Sequence, residues 1–210
     1  MKYGSVVLTA GFTGLLSFCL LAVAIGTDYW YIIDVNKPNY TGPDDLSSHS
    51  GLWRINEGKK RSSFIPTFTA NMSTLSEAER QLLGLHKTVV IMLPLSLVLL
   101  VLGWIFGLVS SLACSPTLLV AAASHFLLCS LFTLSGVSIY IKYSNQAMEE
   151  FQQIVPPENL VYVDVSFGWS LATAWLSYSL EVATGLLLML AARIIQMKGN
   201  YDSGVTITVL

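Results

Sequence analysis

Charge is scarce in this chain of 210 residues: only 11% are Asp, Glu, Lys or Arg, where a soluble domain carries about 25%. That shortage argues against a water-solvated globule and points to lipid as solvent. The net charge of −2 lacks the basic excess that a nucleic-acid partner requires, so no such partner is expected. Cysteine is nearly missing from the polar segments. Cys19, Cys114 and Cys129 fall in or at the ends of apolar blocks, which leaves secretory oxidation no pair with which to staple a loop. His49, His86 and His125 are scattered, with no cysteine or acid at metal-ligand spacing. Gly-rich phosphate loops, H-E-x-x-H and G-x-S-x-G are all missing. The chain is therefore read as a non-enzyme that needs no cofactor.

What it has is apolar sequence, 53% of the residues, gathered into four blocks at 5–26, 88–113, 117–141 and 169–192. Each exceeds the roughly 20 residues that a helix needs to cross about 30 Å of hydrocarbon. Lipid offers no hydrogen bonds to backbone, so each block is expected to be a helix. The first is read as an uncleaved span; a cleaved signal peptide ending at Ala22-Val23-Ala24 is the alternative.

Residues 27–87 separate the first two blocks and carry two sequons, Asn39-Tyr40-Thr41 and Asn71-Met72-Ser73, the marks of a glycosylated extracytoplasmic loop. Lys2, Arg193 and Lys198 then lie in the cytosol with both termini. The loop's own basic residues are matched by acids, and long loops translocate largely regardless of charge. Runs at 28–35, 52–55 and 64–69 are β-branched or aromatic and predict a small antiparallel sheet. Thr74-Leu75-Ser76-Glu77 predicts a capping box opening the helix that enters the second span. The second outer loop, 142–168, has a Pro156-Pro157 turn before a candidate edge strand at 160–165. The fold class is an all-α membrane protein: a four-transmembrane-helix bundle with a small extracellular antiparallel β-sheet. The membrane domain covers 1–192 and a cytoplasmic tail covers 193–210.

Trp30 after the first block, followed by Gly51-Leu52-Trp53, resembles the W…GLW signature of the superfamily of claudins, peripheral myelin proteins and calcium-channel γ subunits. The stargazin-like receptor auxiliary proteins belong to it too. The run 136–141 (GVSIYI) and Phe167-Gly168-Trp169-Ser170 continue the similarity, and Glu181 looks like the acid that γ-type members carry in the last helix. The resemblance covers nearly the whole chain and implies a claudin-like fold. Relatives usually place two cysteines after GLW; here Asn56 stands where the first would be, and 59–63 supplies no second. With no bridge, worth about 2–4 kcal/mol, the sheet is expected to lean on Trp30 and Trp53, each worth about 2–3 kcal/mol when buried.

Several residues invite a role. A carboxylate at the depth of Glu181 costs at least about 2.5–3.5 kcal/mol, so it needs a proton or a partner, and His125 is the internal partner on offer. Contact with a partner protein's transmembrane helix is the second reading. Gly103, Gly107 and Ser111 put small residues on one face of the second helix, suited to close packing within the bundle or to a dimer seam. Pro94 is expected to kink that helix. Arg54, Lys59, Lys60 and Arg61 form a basic patch, read as a solvated hairpin tip or as charge that selects ions in a claudin-like barrier. Thr208, Val209 and Leu210 fit a C-terminal peptide added to the edge of a PDZ-domain sheet.

Two functional readings stay open. One is a regulatory or auxiliary subunit of a channel or receptor, calcium-channel γ-like. The other is a cell–cell junction or paracellular barrier protein that self-associates in the membrane. Both place the chain in the plasma membrane with the lipid bilayer as its first partner, the second at cell–cell contacts. A transporter is disfavoured, because paired broken helices are missing.

Overall fold

Each apolar block forms a helix, and three of the four helices run beyond the hydrocarbon stretch. The computed structural model describes residues 2–35, 47–57, 61–69, 75–154 and 162–208. Its long helices are α1 (Tyr3–Gly26), α2 (Glu77–Leu112), α3 (Pro116–Ile154) and α4 (Trp169–Thr208). All four are long and apolar enough to cross a membrane. The chain is a multi-pass membrane protein.

α2 starts eleven residues before its apolar block, on a capping box two residues later than Thr74 suggested. The Ser76 N–H donates to Glu79 Oε2 at 2.9 Å, and the Glu79 N–H donates to Ser76 Oγ at 3.3 Å. The reciprocal pair satisfies two otherwise orphaned donors. α3 does not stop near Ile141, because the sequence that follows is rich in Lys, Gln, Ala, Met and Glu, good helix formers. It ends at Ile154, just ahead of Pro156, as steric clash with a proline ring dictates. α4 likewise continues through the expected tail to Thr208. Pro94 lies inside an unbroken α2.

The chain divides into two compact units. The first holds Met1–Leu20, Leu95–Phe132 and Leu176–Leu210, the halves of the helices nearest both termini. Its core is small: Ala10, Ala122, Ala123, Phe126 and Ala191 are among the buried residues. Large apolar side chains such as Leu8, Phe12, Val98 and Leu131 point outward, an inversion that only lipid solvates. α2 turns into α3 over three residues, with Cys114 in the left-handed region at φ 49°.

The second unit, Leu21–Pro94 and Thr133–Trp175, holds the remaining helix segments and a five-stranded sheet of order β4-β3-β2-β1-β5. The strands are β1 (Tyr31–Val35), β2 (Ser48–Ser50), β3 (Arg54–Glu57), β4 (Arg61–Phe64) and β5 (Val163–Phe167), and each neighbouring pair is antiparallel. The expected strand at 64–69 lies earlier, at β4, with a turn following at 67–69. β2 was not expected, because Ser-His-Ser carries little strand propensity. Its backbone is drawn in by pairing on both edges. β5 forms the edge strand foreseen for the second loop, shifted towards α4.

Candidate functional site

The W…GLW residues converge on the last turn of α1. A helix end leaves carbonyls without N–H partners, and here three successive ones are taken by side chains. The Thr27 hydroxyl donates to Val23 O at 2.7 Å, the Trp30 indole to Ala24 O at 2.7 Å and the Trp53 indole to Ile25 O at 2.9 Å. Trp30 is fully buried, with its ring tilted against Tyr140 at 4.7 Å between centroids. Leu52 is fully buried beside it in the sequence motif, whereas Trp53 stays 38% exposed and acts mainly through its N–H.

Two glycines make the approach possible. A β-carbon on Gly51 would come within 2.6 Å of the Asp28 backbone, and one on Gly168 would collide with the Tyr29 carbonyl. Backbone pairing continues through this region, Trp30 N–H to Ser50 O and Gly168 N–H to Trp30 O, each 3.0 Å. The motif is thus a clamp that ties the sheet to the helix ends through hydrogen bonds rather than sulfur.

Above the clamp a cavity of about 180 Å³ lies between one sheet face, with Tyr31, Ile33 and Ile55, and α3, with Tyr140, Ser144 and Met148. Among the described residues, its lining carries no charged side chain. Partial burial pushes the Tyr31 phenol above its ordinary pKa, so it stays a neutral donor. Next to α3, the buried His86 accepts or donates at Nδ1 to the Thr67 hydroxyl at 2.9 Å and meets the Tyr143 ring. Sequence reasoning weighed His86 only as a metal ligand; its place at the polar mouth of an apolar helix was the available signal for a packing role.

Arg54 pairs with Phe64 at one end of the β3–β4 hairpin, with its guanidinium 4.6 Å from the ring centroid. Arg61 pairs with Glu57 at the turn end. Lys59 and Lys60 lie outside the described residues, as do Asn39, Asn71, Val209 and Leu210. Thr208 is the last residue of α4.

In the first unit, Glu181 is fully buried and accepts from the Ser177 hydroxyl at 3.4 Å. His125, expected as its partner, has its Nε2 on the Leu99 carbonyl at 2.9 Å. Gly103 makes room for that reach: a β-carbon there would come within 2.7 Å of His125 Cδ2. Gly107 faces Phe126 and Leu188 at ordinary contact distance. The Ser111 carbonyl accepts from the Tyr3 hydroxyl at 3.0 Å. The small-residue face of α2 therefore has α1, α3 and α4 against it. Thr13 and Thr184 hydroxyls meet at 2.8 Å, extending a polar line along α1 and α4 that composition alone did not reveal.

The family model described as PMP-22/EMP/MP20/Claudin tight junction matches residues 15–190. The chain is 26% identical over 177 residues to the human voltage-dependent calcium channel gamma-5 subunit, a match covering 80% of this chain and 63% of that protein. The mouse gamma-5 subunit is 25% identical over the same length, with the same coverage. The match thus spans less than two thirds of these relatives. The matched segment takes in the whole sheet, the tryptophan clamp and at least half of every long helix, and the protein belongs to the PMP-22/EMP/MP20/claudin family.

Proposed function

We propose that the protein is a non-enzymatic auxiliary subunit of a membrane channel, calcium-channel γ-like, seated in the plasma membrane with both termini in the cytosol. The similarity to the gamma-5 subunit, over 80% of this chain, carries this reading. The structure suits the task physically. A sheet bolted to helix ends by Trp30 and Trp53 presents a fixed face outside the membrane, while the exposed apolar helix surfaces supply contact area within it. Glycans on Asn39 and Asn71 would mark the outer side, and Thr208–Leu210 would offer the cytosolic end to a PDZ domain.

The test is affinity purification of the full chain from mammalian plasma membranes in mild detergent, followed by identification of stoichiometric partners. Recovery of a channel's pore-forming subunit, and a change in that channel's gating when the two are co-expressed, is the expected result. Recovery of the chain only with copies of itself would sink the auxiliary-subunit reading. The family's description favours a second reading, a junction protein. Enrichment along borders between junction-deficient fibroblasts would support it, and a uniform surface distribution would count against it.

A further inference from the structure

The register of the sheet defines one edge that faces the helix ends. Tyr31 opposes both Ser50 and Phe167, Ser50 opposes Ile55, and Arg54 opposes Phe64. Tyr31 follows closely on the end of α1, and Phe167 is separated from α4 by Gly168 alone. The row from Phe64 to Phe167 is therefore the rim of the sheet closest to the membrane spans.

That rim is aromatic in a way the rest of the sheet is not. Phe64 is 71% exposed and the neighbouring Phe68 60%, while Tyr29, Trp53, Phe167 and Trp169 are each more than a third exposed. Further along the strands, Asp34, Asn56, Ser62 and Asp164 are polar. Two contacts fix the height of the rim. The Trp53 indole bonds to Ile25 in the last turn of α1. Lys87, one residue before the apolar stretch of α2, holds its ammonium 5.5 Å from the Phe68 ring centroid. Arg54 covers Phe64 in the same fashion. Among the described residues, neither cation makes an ion pair. The pattern is an apolar ring with a cation over it, repeated twice at the level where hydrocarbon gives way to water. Aromatic residues concentrate at that level, and cations there meet lipid phosphate.

We propose that this rim is a phospholipid-binding surface set into the headgroup layer, with Arg54 and Lys87 on lipid phosphates and Phe64 and Phe68 at the acyl boundary. Lipid rather than a partner protein is the occupant, because the rim continues into apolar helix surface such as Ile91 on α2.

The experiment uses the full chain in phosphatidylcholine nanodiscs, with Cys19, Cys114 and Cys129 replaced by Ala. A bimane label is placed on Phe64→Cys, on Phe68→Cys and, for reference, on Ser62→Cys. Nitroxides at the lipid headgroup or at the fifth acyl carbon should quench the labels at 64 and 68 about twofold or more over the label at 62, and aqueous iodide should show the opposite order. Adding Arg54→Gln with Lys87→Gln should cut lipid quenching at 64 and 68 about twofold. Should a cysteine variant fold poorly, Phe64→Trp and Phe68→Trp with brominated lipids give the same readout while keeping a ring. Iodide reaching 64 and 68 as freely as 62 overturns the proposal. So does shielding from both quenchers, which would mean that protein covers the rim. Lipid quenching unchanged by the two glutamine substitutions overturns the phosphate contacts.

Discussion

Ser17 and Ser177 hold each other's backbone across α1 and α4. The Ser17 hydroxyl donates to Ser177 O at 3.0 Å, and the Ser177 hydroxyl donates to Ser17 O at 2.8 Å. Both residues are fully buried. Only a small side chain lets two helices come this close, and each hydroxyl satisfies a group that hydrocarbon cannot.

Ser17→Ala keeps the size and loses the bond its hydroxyl donates, so a modest cost of about 0.6 kcal/mol is expected. Ser17→Leu forces the helices apart and should cost several times more, about 1–3 kcal/mol, as overpacking does. The midpoint of thermal unfolding in detergent checks both. Equal midpoints for the two variants would show that close approach is not what the serines provide.

The two tryptophans of the clamp should separate on substitution. Trp30→Ala empties a fully buried site and is expected to cost about 3–5 kcal/mol, enough to hold the protein in the early secretory pathway. Trp53→Phe keeps a half-exposed ring and loses one hydrogen bond, about 1 kcal/mol. It should reach the surface in reduced amount. Surface biotinylation reads both, and normal surface levels of Trp30→Ala would remove its anchoring role.

Gly103 and His125 should be coupled. Gly103→Ala drives a methyl to within 2.7 Å of the imidazole, and displacing the ring from the Leu99 carbonyl is expected to cost about 1–3 kcal/mol. With His125→Ala in the background, the same change should cost little. A double-mutant cycle on unfolding midpoints gives the coupling; additive effects would show that the contact carries no energy.

Protein from mammalian cells should lose mass in two steps as Asn39→Gln and Asn71→Gln are introduced, and glycosidase should collapse all forms to one band. No shift for either sequon would remove the support for an extracytoplasmic first loop.

The sequence disclosed the fold further than it disclosed the contacts. Four helices and a sheet follow from solvent physics and strand propensity, because each block's apolar length is written in consecutive residues. The W…GLW motif is plain in the sequence, but the capping of Ala24 and Ile25 by its two tryptophans depends on backbone carbonyls, which no side-chain pattern records. The same holds for His125, whose Nε2 meets a main-chain oxygen of Leu99 that the sequence does not display. Helix ends were misjudged where hydropathy stops and helix propensity does not, as at 142–154 in α3. The hairpin register, which sets Arg54 and Arg61 at opposite ends of the β3–β4 pair, is likewise unwritten in the basic run itself.

The position of β1 sets a timetable for synthesis. One of its edges meets β2 almost at once, but the other waits for β5, whose Val163 pairs with Val35. At about 5–20 residues per second, the ribosome needs about 6–26 s to deliver that partner. Through this interval the nascent chain displays a bare strand edge, the kind of template that recruits foreign strands. A chaperone shielding 31–35 would be most valuable during that window. Slowing translation between the second and third spans should lower the yield of folded protein.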